Sequence, residues 1–299
     1  MKRLIVTADD FGAAPEVNDA VEAAHLGGVL TAASLMVGAP AMADAVARAR
    51  RMPSLRVGLH LVLTDGRPLL PPSAVPHLVD GSGSFRSNMA SAGATIFFNS
   101  RARAELAAEI EAQFEAFRAT GLTLDHVNAH KHFHLHPTIA GLMVVIGRRF
   151  GLRSVRVPLE RRDILENVEP GSLPASEWLT APFARRLGKR LRAQGLLTPD
   201  HVFGLRWSGQ MTKDRLLGLI RNAPEALSEI YLHPATAGAF AGAAPGYRYR
   251  EEFAALIAPE IIAAARDSSL RLGGFADFLK SEGEGRVVDA SPPNRSVTS

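Results

Sequence analysis

The sequence predicts an α/β fold in which a parallel sheet closes into a distorted, TIM-like (β/α) barrel of a single domain. Short apolar or β-branched runs alternate with longer stretches of helical period through most of the 299 residues. Seven or eight such strand–helix units favour a closed barrel over an open sheet. The length also suits one barrel of about 250 residues with additions.

Strands are predicted where a short apolar run ends at polar or turn residues. The first run, 3–8, reads RLIVTA and stops at Asp9 and Asp10. Such runs are typical of strands that are buried on both faces of a parallel sheet. The remaining predicted strands are 33–37, 55–60, 122–127, 153–157, 201–205, 228–232 and, less strongly marked, 269–273.

Helices are predicted between these strands. In 101–119 the residues Leu106, Ile110, Phe114 and Phe117 recur at helical spacing, with charged residues between them. Proline is well suited to the first position of a helix, and Pro137 begins one here. The predicted helices are 15–27, 40–52, 101–119, 137–150, 178–194, 213–222 and 251–266.

Two stretches depart from this alternation. Residues 64–100 contain several prolines and glycines without a sustained period, which is typical of a lid or binding loop inserted into a domain. Residues 281–299 are polar and rich in proline and serine, so we expect a disordered tail. The barrel domain is therefore predicted to span 1–280.

Composition excludes several kinds of chemistry. The chain has no cysteine, which excludes disulfides, thiolate metal ligands and a thiol nucleophile. The net charge is only +4 and the charges are scattered, so no nucleic-acid partner is expected. No apolar run approaches the roughly 18 residues of a membrane span, and the apolar start is too short for a signal peptide. We therefore expect a cytoplasmic location.

Ionisable residues are concentrated where predicted strands end. Asp9 and Asp10 follow the first strand, His60 closes the third, and His233 follows the strand 228–232. Five further histidines follow from the fourth strand: His126, His130, His132, His134 and His136. In a parallel barrel the carboxyl ends of the strands meet at one rim, where catalytic groups lie. We therefore expect these residues in one pocket.

One carboxylate and two imidazoles form a metal site with open positions for water and substrate. A second, adjacent carboxylate could then act as a base towards water whose pKa the metal lowers. Structural interpretations also exist: the Asp pair could cap a helix, and His60 and His233 could be buried structural histidines. The cluster 126–136 could be an exposed nickel-binding tract, but its apolar neighbours favour a buried metal or catalytic site. Its even numbering would place all five histidines on one side of an extended chain.

Three segments resemble signatures of the YdjC-type carbohydrate deacetylases. They are Thr7–Gly12 (TADDFG), Gly58–Leu61 (GLHL) and Asn128–Pro137 (NAHKHFHLHP), with similar pieces at Ser34–Val37 and His233–Pro234. The resemblance runs in order from residue 3 to about residue 280. It implies a distorted barrel and hydrolysis of the N-acetyl group of an acetamido sugar.

Carried over by position, the resemblance implies one divalent ion, magnesium or zinc, held by Asp10, His60 and His130. It implies Asp9 as general base and His233 as general acid. One position departs from the pattern, because many relatives have Asp where this chain has Asn128. Asn128 in place of that Asp would change the hydrogen bonding that orients His130, unless the nearby Asp125 and His126 take over this role. The run DHVNAHKHFHLHP and the long loop 64–100 look most similar to the branch associated with hopanoid biosynthesis, which implies an N-acetylglucosaminyl hopanoid as substrate.

Further residues are candidates for contact with the substrate. Arg156, at the end of 153–157, could bind sugar hydroxyls or a carboxylate, or form a surface ion pair, and His132 is a second candidate contact. Trp207 could stack on a sugar, although a core position is the more common one. The basic amphipathic helix 178–194 could contact the inner face of a membrane, or be an outer barrel helix with a charged face. Homodimer formation is left open.

Other functions use the same residues. The enzyme could deacetylate soluble N-acetylated oligosaccharides instead of a glycolipid. Two histidines and a carboxylate also form the site of non-haem iron oxygenases. A third alternative is a barrel that binds metal or carbohydrate without catalysis. Asp9 argues against it, because an acid beside a metal ligand has no evident structural need.

Overall fold

The computed structural model describes residues 1–171 and 175–279, and of 175–180 it describes only the backbone. All strand pairs in its sheet are parallel, in the order β4-β3-β2-β1-β6-β5, with β7 also paired to β1. The strands are β1 (Lys2–Phe11), β2 (Ala32–Leu35), β3 (Arg56–Leu61), β4 (Val127–Ala129), β5 (His201–Phe203), β6 (Leu227–Leu232) and β7 (Leu270–Leu272).

The longest strand, β1, lies at the centre of the sheet. It pairs with β6 from Arg3 to Ala8, while its other side pairs with β7 near its start and with β2 near its end. The register to β2 shifts between Ala8 and Phe11, where Asp9 and Asp10 lie. A bulge of this kind turns side chains away from the regular alternation of a strand.

The segment 153–159 joins the two edges of the sheet. Its contacts with neighbouring strands are isolated parallel bridges, Val127 to Val155 and Ser154 to Leu197. The amide of Val202 donates to the carbonyl of Leu159 (3.0 Å), which links the segment to β5. The predicted strand 153–157 is therefore wrong as a regular strand. Pro158 has no amide hydrogen with which to extend the ladder.

Ten helices surround the sheet in the described part of the chain. They are α1 (Pro15–Gly27), α2 (Met42–Arg51), α3 (Met89–Phe98), α4 (Ser100–Ala119), α5 (Pro137–Arg148), α6 (Arg162–Val168), α7 (Ala175–Ala193), α8 (Lys213–Arg221), α9 (Tyr249–Leu256) and α10 (Pro259–Ala265). The prediction of one helix over 251–266 is wrong, because Pro259 ends the first helix and begins the second.

The predicted single-domain distorted barrel is confirmed.

The segment 64–100 is more ordered than predicted. It contains α3 and a bridge between Val79 and Phe85, and it buries Val75 and Leu78 in the main core. The sequence pattern missed α3 because its residues are small or apolar on every side and show no helical period. The predicted tail 281–299 lies outside the described residues.

Helix α7 has the character of an outer barrel helix over its described side chains. Ala184, Leu187 and Leu191 are buried, whereas Phe183 is 59% exposed. The exposed side chains include Arg185, Arg186, Lys189, Arg190 and Arg192. Within residues 1–171 and 175–279, no helix is long and apolar enough to cross a membrane.

Gly58 of β3 lies very close to His126, which precedes β4, so a larger residue at this position should destabilise the fold. A Cβ at Gly58 would lie 2.5 Å from the backbone oxygen and two ring atoms of His126. We expect Gly58→Ala to lower the free energy of unfolding by ~3 kcal/mol, because backbone and a buried ring must move. Denaturant unfolding measures the change.

A matched control for this substitution lies on α5. A Cβ added at Gly141 would meet no other atom within 4 Å, so Gly141→Ala should leave stability unchanged or raise it by up to about 1 kcal/mol. Equal effects of the two substitutions would contradict the close approach at Gly58.

Candidate metal centre

Three strands of the parallel sheet, β1, β3 and β4, carry the candidate ligands to one end of the sheet, with β2 between β1 and β3. Asp9 and Asp10 lie near the end of β1, and His60 lies in β3. His130 begins the 3-10 turn His130–Leu135 directly after β4. Because β1, β3 and β4 all run parallel, their carboxyl ends lie at the same rim, as the sequence predicted.

The donor atoms of Asp10, His60 and His130 form a compact triangle. Asp10 Oδ1 lies 3.3 Å from His60 Nε2 and 3.4 Å from His130 Nδ1. The two histidine nitrogens are themselves 3.4 Å apart. These are the three residues of the described chain that are grouped closely enough to share one metal ion.

The triangle fits a divalent cation. Donors held at about 2.0–2.1 Å from a tetrahedral ion are separated by roughly 3.3–3.4 Å, which is the separation found here. Asp10 Oδ1 is buried and accepts no hydrogen bond from the described residues, so a cation would supply its missing partner. An oxygen and two imidazole nitrogens suit zinc and other divalent metals alike, and do not select one.

Asn128 supports His60, and not His130 as the sequence pattern suggested. Asn128 Oδ1 lies 2.7 Å from His60 Nδ1, and the two residues are register partners on β4 and β3. Since the amide oxygen can only accept, Nδ1 carries the proton and Nε2 presents its lone pair to the triangle. Asp125 does not act at the site, because its carboxylate accepts from His126 Nδ1 and from the amides of Phe275 and Ala276.

Asp9 is buried and is linked to the triangle through Asn128, which contacts both Asp9 and His60. Arg156 Nη1 donates to its Oδ2 (2.5 Å), and Asn128 Nδ2 donates to its Oδ1 (3.2 Å). Burial would raise the pKa of this carboxyl, but the Arg156 guanidinium, together with His60 and His233, holds the pKa of Asp9 well below its usual 3.8. Asp9 is therefore ionised at neutral pH.

The structure gives Arg156 a different place from the predicted substrate contact. Its side chain has no exposed surface. Besides Asp9, its guanidinium donates to Glu229 Oε1 through Nε (3.0 Å) and Nη2 (2.6 Å), and it lies 4.6 Å over the Tyr231 ring. Arg156 therefore fixes the position of the Asp9 carboxylate through a buried ion pair. The alternative of a surface ion pair is also wrong, because the pair is in the interior.

The histidine cluster does not act as one unit. A 3-10 turn replaces the expected extended chain, with Lys131 and His132 in left-handed backbone (φ 51° and 54°), so the side chains point in different directions. His126 stacks on Phe275 and bonds Ser34 Oγ, while His134 Nε2 bonds the carbonyl of Arg156. Only His130 of the five joins the triangle. The exposed nickel-binding tract is excluded, because His126 and His134 are fully buried.

Strained backbone marks the rim around the triangle. In the described ranges, four residues other than glycine have left-handed φ: Asp10, Asp65, Lys131 and His132. Asp65 and Lys131 form an ion pair with each other. Such backbone is unfavourable by about 1–3 kcal/mol per residue, and it persists where the surrounding structure determines it, often at functional sites.

His233 follows β6 and is 9% exposed. Its amide donates to Glu252 Oε2, and its ring packs against the rings of Tyr231 and Tyr247. Its Nδ1 is buried and has no hydrogen-bond partner among the described residues. Burial lowers the pKa of His233, and the carboxylates of Asp10 and Asp9 partly oppose that effect.

His132 lies beside the triangle and is half-buried. Its Nε2 is 2.9 Å from the hydroxyl of Tyr231, and its Nδ1 has no hydrogen-bond partner within the described chain. Trp207 is only 5% exposed and packs in the main core, so the predicted stacking on a sugar is not available to it.

Sequence reasoning missed three buried groups that support the site. Glu229 pairs with Arg156, Glu252 binds the amides of His233 and Met211, and Ser34 accepts from Asn128. Burial raises the pKa of Glu252 to about 8. Glu229 could have been found, because a glutamate within a predicted buried strand requires a cationic partner.

The comparisons with known proteins agree on one family. The family model described as YdjC-like protein matches residues 3–267. A carbohydrate deacetylase from Geobacillus stearothermophilus is 31% identical over 92% of this chain and 98% of its own length. One from Vibrio vulnificus (strain CMCP6) is 30% identical over 93% and 96%.

A solved structure has the same fold. It is a protein of Enterococcus faecalis V583 described as a candidate cellobiose-phosphate cleavage protein. It superimposes with a TM-score of 0.73 at 25% identity, and the match covers 93% of this chain and 99% of that one.

The buried His134 generates a prediction about pH. Burial lowers the pKa of its imidazole from 6.5 to about 4, so the unfolded chain binds the proton more readily between those two values. The contribution of the neutral, buried imidazole to the free energy of unfolding is complete above pH 6.5, and it is lost as the pH falls towards 4. Between pH 7 and pH 5 the wild type should lose ~2 kcal/mol more than His134→Gln.

Denaturant unfolding across this range measures the difference. Glutamine keeps a donor for the carbonyl of Arg156 without titrating, which makes it the matched variant. Parallel pH curves for the two proteins would show that His134 is not buried in its neutral form.

Proposed function

This chain belongs to the YdjC-like protein family, and on that basis we propose that it is a metal-dependent hydrolase that removes the N-acetyl group from an acetamido sugar. The observation that carries the proposal is the donor triangle of Asp10, His60 and His130, to which Asn128 links an ionised carboxylate, Asp9. The carbohydrate deacetylases from Geobacillus stearothermophilus and Vibrio vulnificus, similar along nearly their whole length, support the reaction class.

Hydrolysis of an amide requires an activated water and a proton for the leaving amine. The water oxygen forms a bond to the carbonyl carbon, the C–N bond breaks, and acetate and the free amine are released. A divalent cation held by Asp10, His60 and His130 would lower the pKa of water and stabilise negative charge on the amide oxygen.

Asp9 is the general base in this proposal. Its carboxylate is ionised, and Arg156 and Asn128 hold both of its oxygens at defined positions. The same ion pair weakens its basicity, since a base with a low pKa takes a proton from water with less driving force. Asp9 would therefore depend on a bound divalent cation to make the water more acidic.

His233 is the general acid in this proposal. The lowered pKa of His233 makes its protonated form a stronger acid towards the departing amine. Glu252 fixes the backbone at this position by accepting the amide hydrogen of His233. The carboxyl of Glu252 is largely uncharged at neutral pH, so it does not hold His233 in the charged form.

For the substrate we propose an N-acetylglucosaminyl hopanoid, with a soluble N-acetylated oligosaccharide as the alternative. The support is the resemblance of the run from Asp125 to Pro137 and the presence of the segment 64–100. We assign a sugar contact to His132 through its partnerless Nδ1. A cytoplasmic enzyme at the inner membrane face, with the exposed basic residues of α7 towards the lipid, would suit a lipid-linked substrate. Association as a homodimer is compatible with this arrangement.

The roles of Asp9 and His130 can be separated by substitution. Asp9→Asn should reduce acetate release by at least about 10²-fold while the purified protein keeps its metal, because Asp9 is not part of the triangle. His130→Ala should lose both metal and activity. Acetate assay and elemental analysis measure the two properties.

Full activity of Asp9→Asn would refute its role as base. Equal metal loss in both variants would contradict this separation of roles. An activity that consumes oxygen and disappears when zinc or magnesium replaces iron would support the iron oxygenase instead.

A panel of substrates distinguishes the two proposed substrate classes. We expect mass spectrometry to show replacement of one acetyl group by hydrogen on an N-acetylglucosaminyl hopanoid, with at least tenfold lower rates on soluble chitin oligosaccharides. The reverse order would establish the soluble substrate. Tight binding without turnover of any acetylated sugar would support a non-catalytic carbohydrate-binding protein.

A further inference from the structure

Helix α3 presents an apolar face to solvent. Ala90, Ser91, Ala94, Phe97 and Phe98 lie on one side of the helix at helical spacing, and all five are exposed. Ser91 is the one polar residue among them. Phe97 is 50% exposed and Phe98 82% exposed, and their rings contact each other edge to face at 5.0 Å. An adjacent pair of aromatic rings in water is unfavourable unless something covers it.

This face, here called the α3 face, lies beside the candidate metal centre. On its buried side, Gly93 approaches the ring of His136 so closely that a Cβ would lie 3.2 Å from it. The ring of Phe97 also lies against His136, at 6.3 Å. His136 ends the turn that His130 begins, so α3 packs on the loop that carries a ligand of the triangle.

The first charged residues after α3 are both arginines. The helix Met89–Phe98 contains no charged residue. Arg101 and Arg103 follow it at once, and both are exposed. In the part of the chain that the structure describes, neither forms an ion pair, and the nearby Glu105 pairs with His77 instead. Arg103 donates to the carbonyl of Phe97 (2.6 Å). Exposed aromatics beside unpaired arginines suit an anionic lipid surface, where rings enter the headgroup layer and cations meet phosphate.

We propose that the α3 face docks the protein on an anionic membrane, with Phe97 and Phe98 as the apolar anchor. A second copy of the chain fits less well, because α3 contains no acidic residue with which Arg101 and Arg103 of the other copy could pair. Among the described side chains of α7, Ala184, Leu187 and Leu191 face the interior and Phe183 is the one exposed aromatic ring, so α7 offers a smaller apolar anchor than the α3 face. Docking itself does not require catalysis, whereas delivery of a lipid-linked sugar to the site rests on the proposed function.

Vesicle flotation of the full chain tests the docking. Vesicles of phosphatidylcholine with a third phosphatidylglycerol should bind the wild type, and binding should weaken as salt rises. Phe97→Ser/Phe98→Ser should lower the partition coefficient about tenfold or more, and Arg101→Gln about fivefold. Phe98→Ser alone should act in the same direction, and its ring is too exposed for the change to unfold the chain.

Two control variants lie away from the α3 face. Leu26→Ser removes a side chain that is 70% exposed near the end of α1, and Arg266→Gln removes an exposed charge just after α10. Neither should change vesicle binding. Acetate release from a soluble substrate should be equal in Phe98→Ser and the wild type, so that failed docking and failed catalysis are distinguishable.

Three results would overturn the proposal. The first is no binding to anionic vesicles by the wild type, or equal binding by the phenylalanine variants. The second is binding that is abolished by Arg185→Gln/Arg186→Gln on α7 and not by the α3 variants. The third is a dimer in sedimentation that Phe98→Ser dissociates without any vesicle binding, which would assign the face to a second copy.

Discussion

Arg156 lies between Asp9 and Glu229 in the barrel interior, and the whole candidate site depends on that pairing. All three side chains are almost completely withdrawn from solvent. Removal of one partner from such a set leaves a buried charge without compensation, which typically destabilises a protein by about 3–5 kcal/mol. Since Asp9 belongs to β1, Glu229 to β6 and Arg156 to the irregular segment between the sheet edges, the pairing also links three parts of the barrel.

The same arrangement determines the chemistry that the site can perform. The Arg156 guanidinium keeps Asp9 ionised and immobile, and it also limits Asp9 as a base. Asn128 connects the two halves of the site, because its oxygen accepts from His60 and its nitrogen donates to Asp9. A carboxylate at position 128 would add a negative charge beside Asp9. The amide therefore supports the ligand His60 without that repulsion.

Most elements could be predicted, and the failures have physical causes. Helix α1 has the predicted bounds, and the strands β1, β3 and β6 agree with prediction to within a few residues, because each buries a continuous apolar face. Helix α3 was missed because its own residues are small or apolar on every side and show no helical period. The segment 153–157 reads as a strand but forms only isolated bridges, since local propensity does not report which backbone groups find partners.

The sequence by itself determined the α/β barrel and the position of the ionisable residues at strand ends, because strand periodicity and chain order suffice for these. The choice of Asp10, His60 and His130 among them came from the resemblance to the YdjC-type carbohydrate deacetylases. Tertiary structure alone decided what each remaining polar residue contacts. It placed Arg156 behind Asp9, directed Asn128 to His60, and separated His130 from the four other histidines of its cluster. The reason is that hydrogen-bond partners come from residues as far apart as 9 and 156, and local pattern carries no information about such pairs.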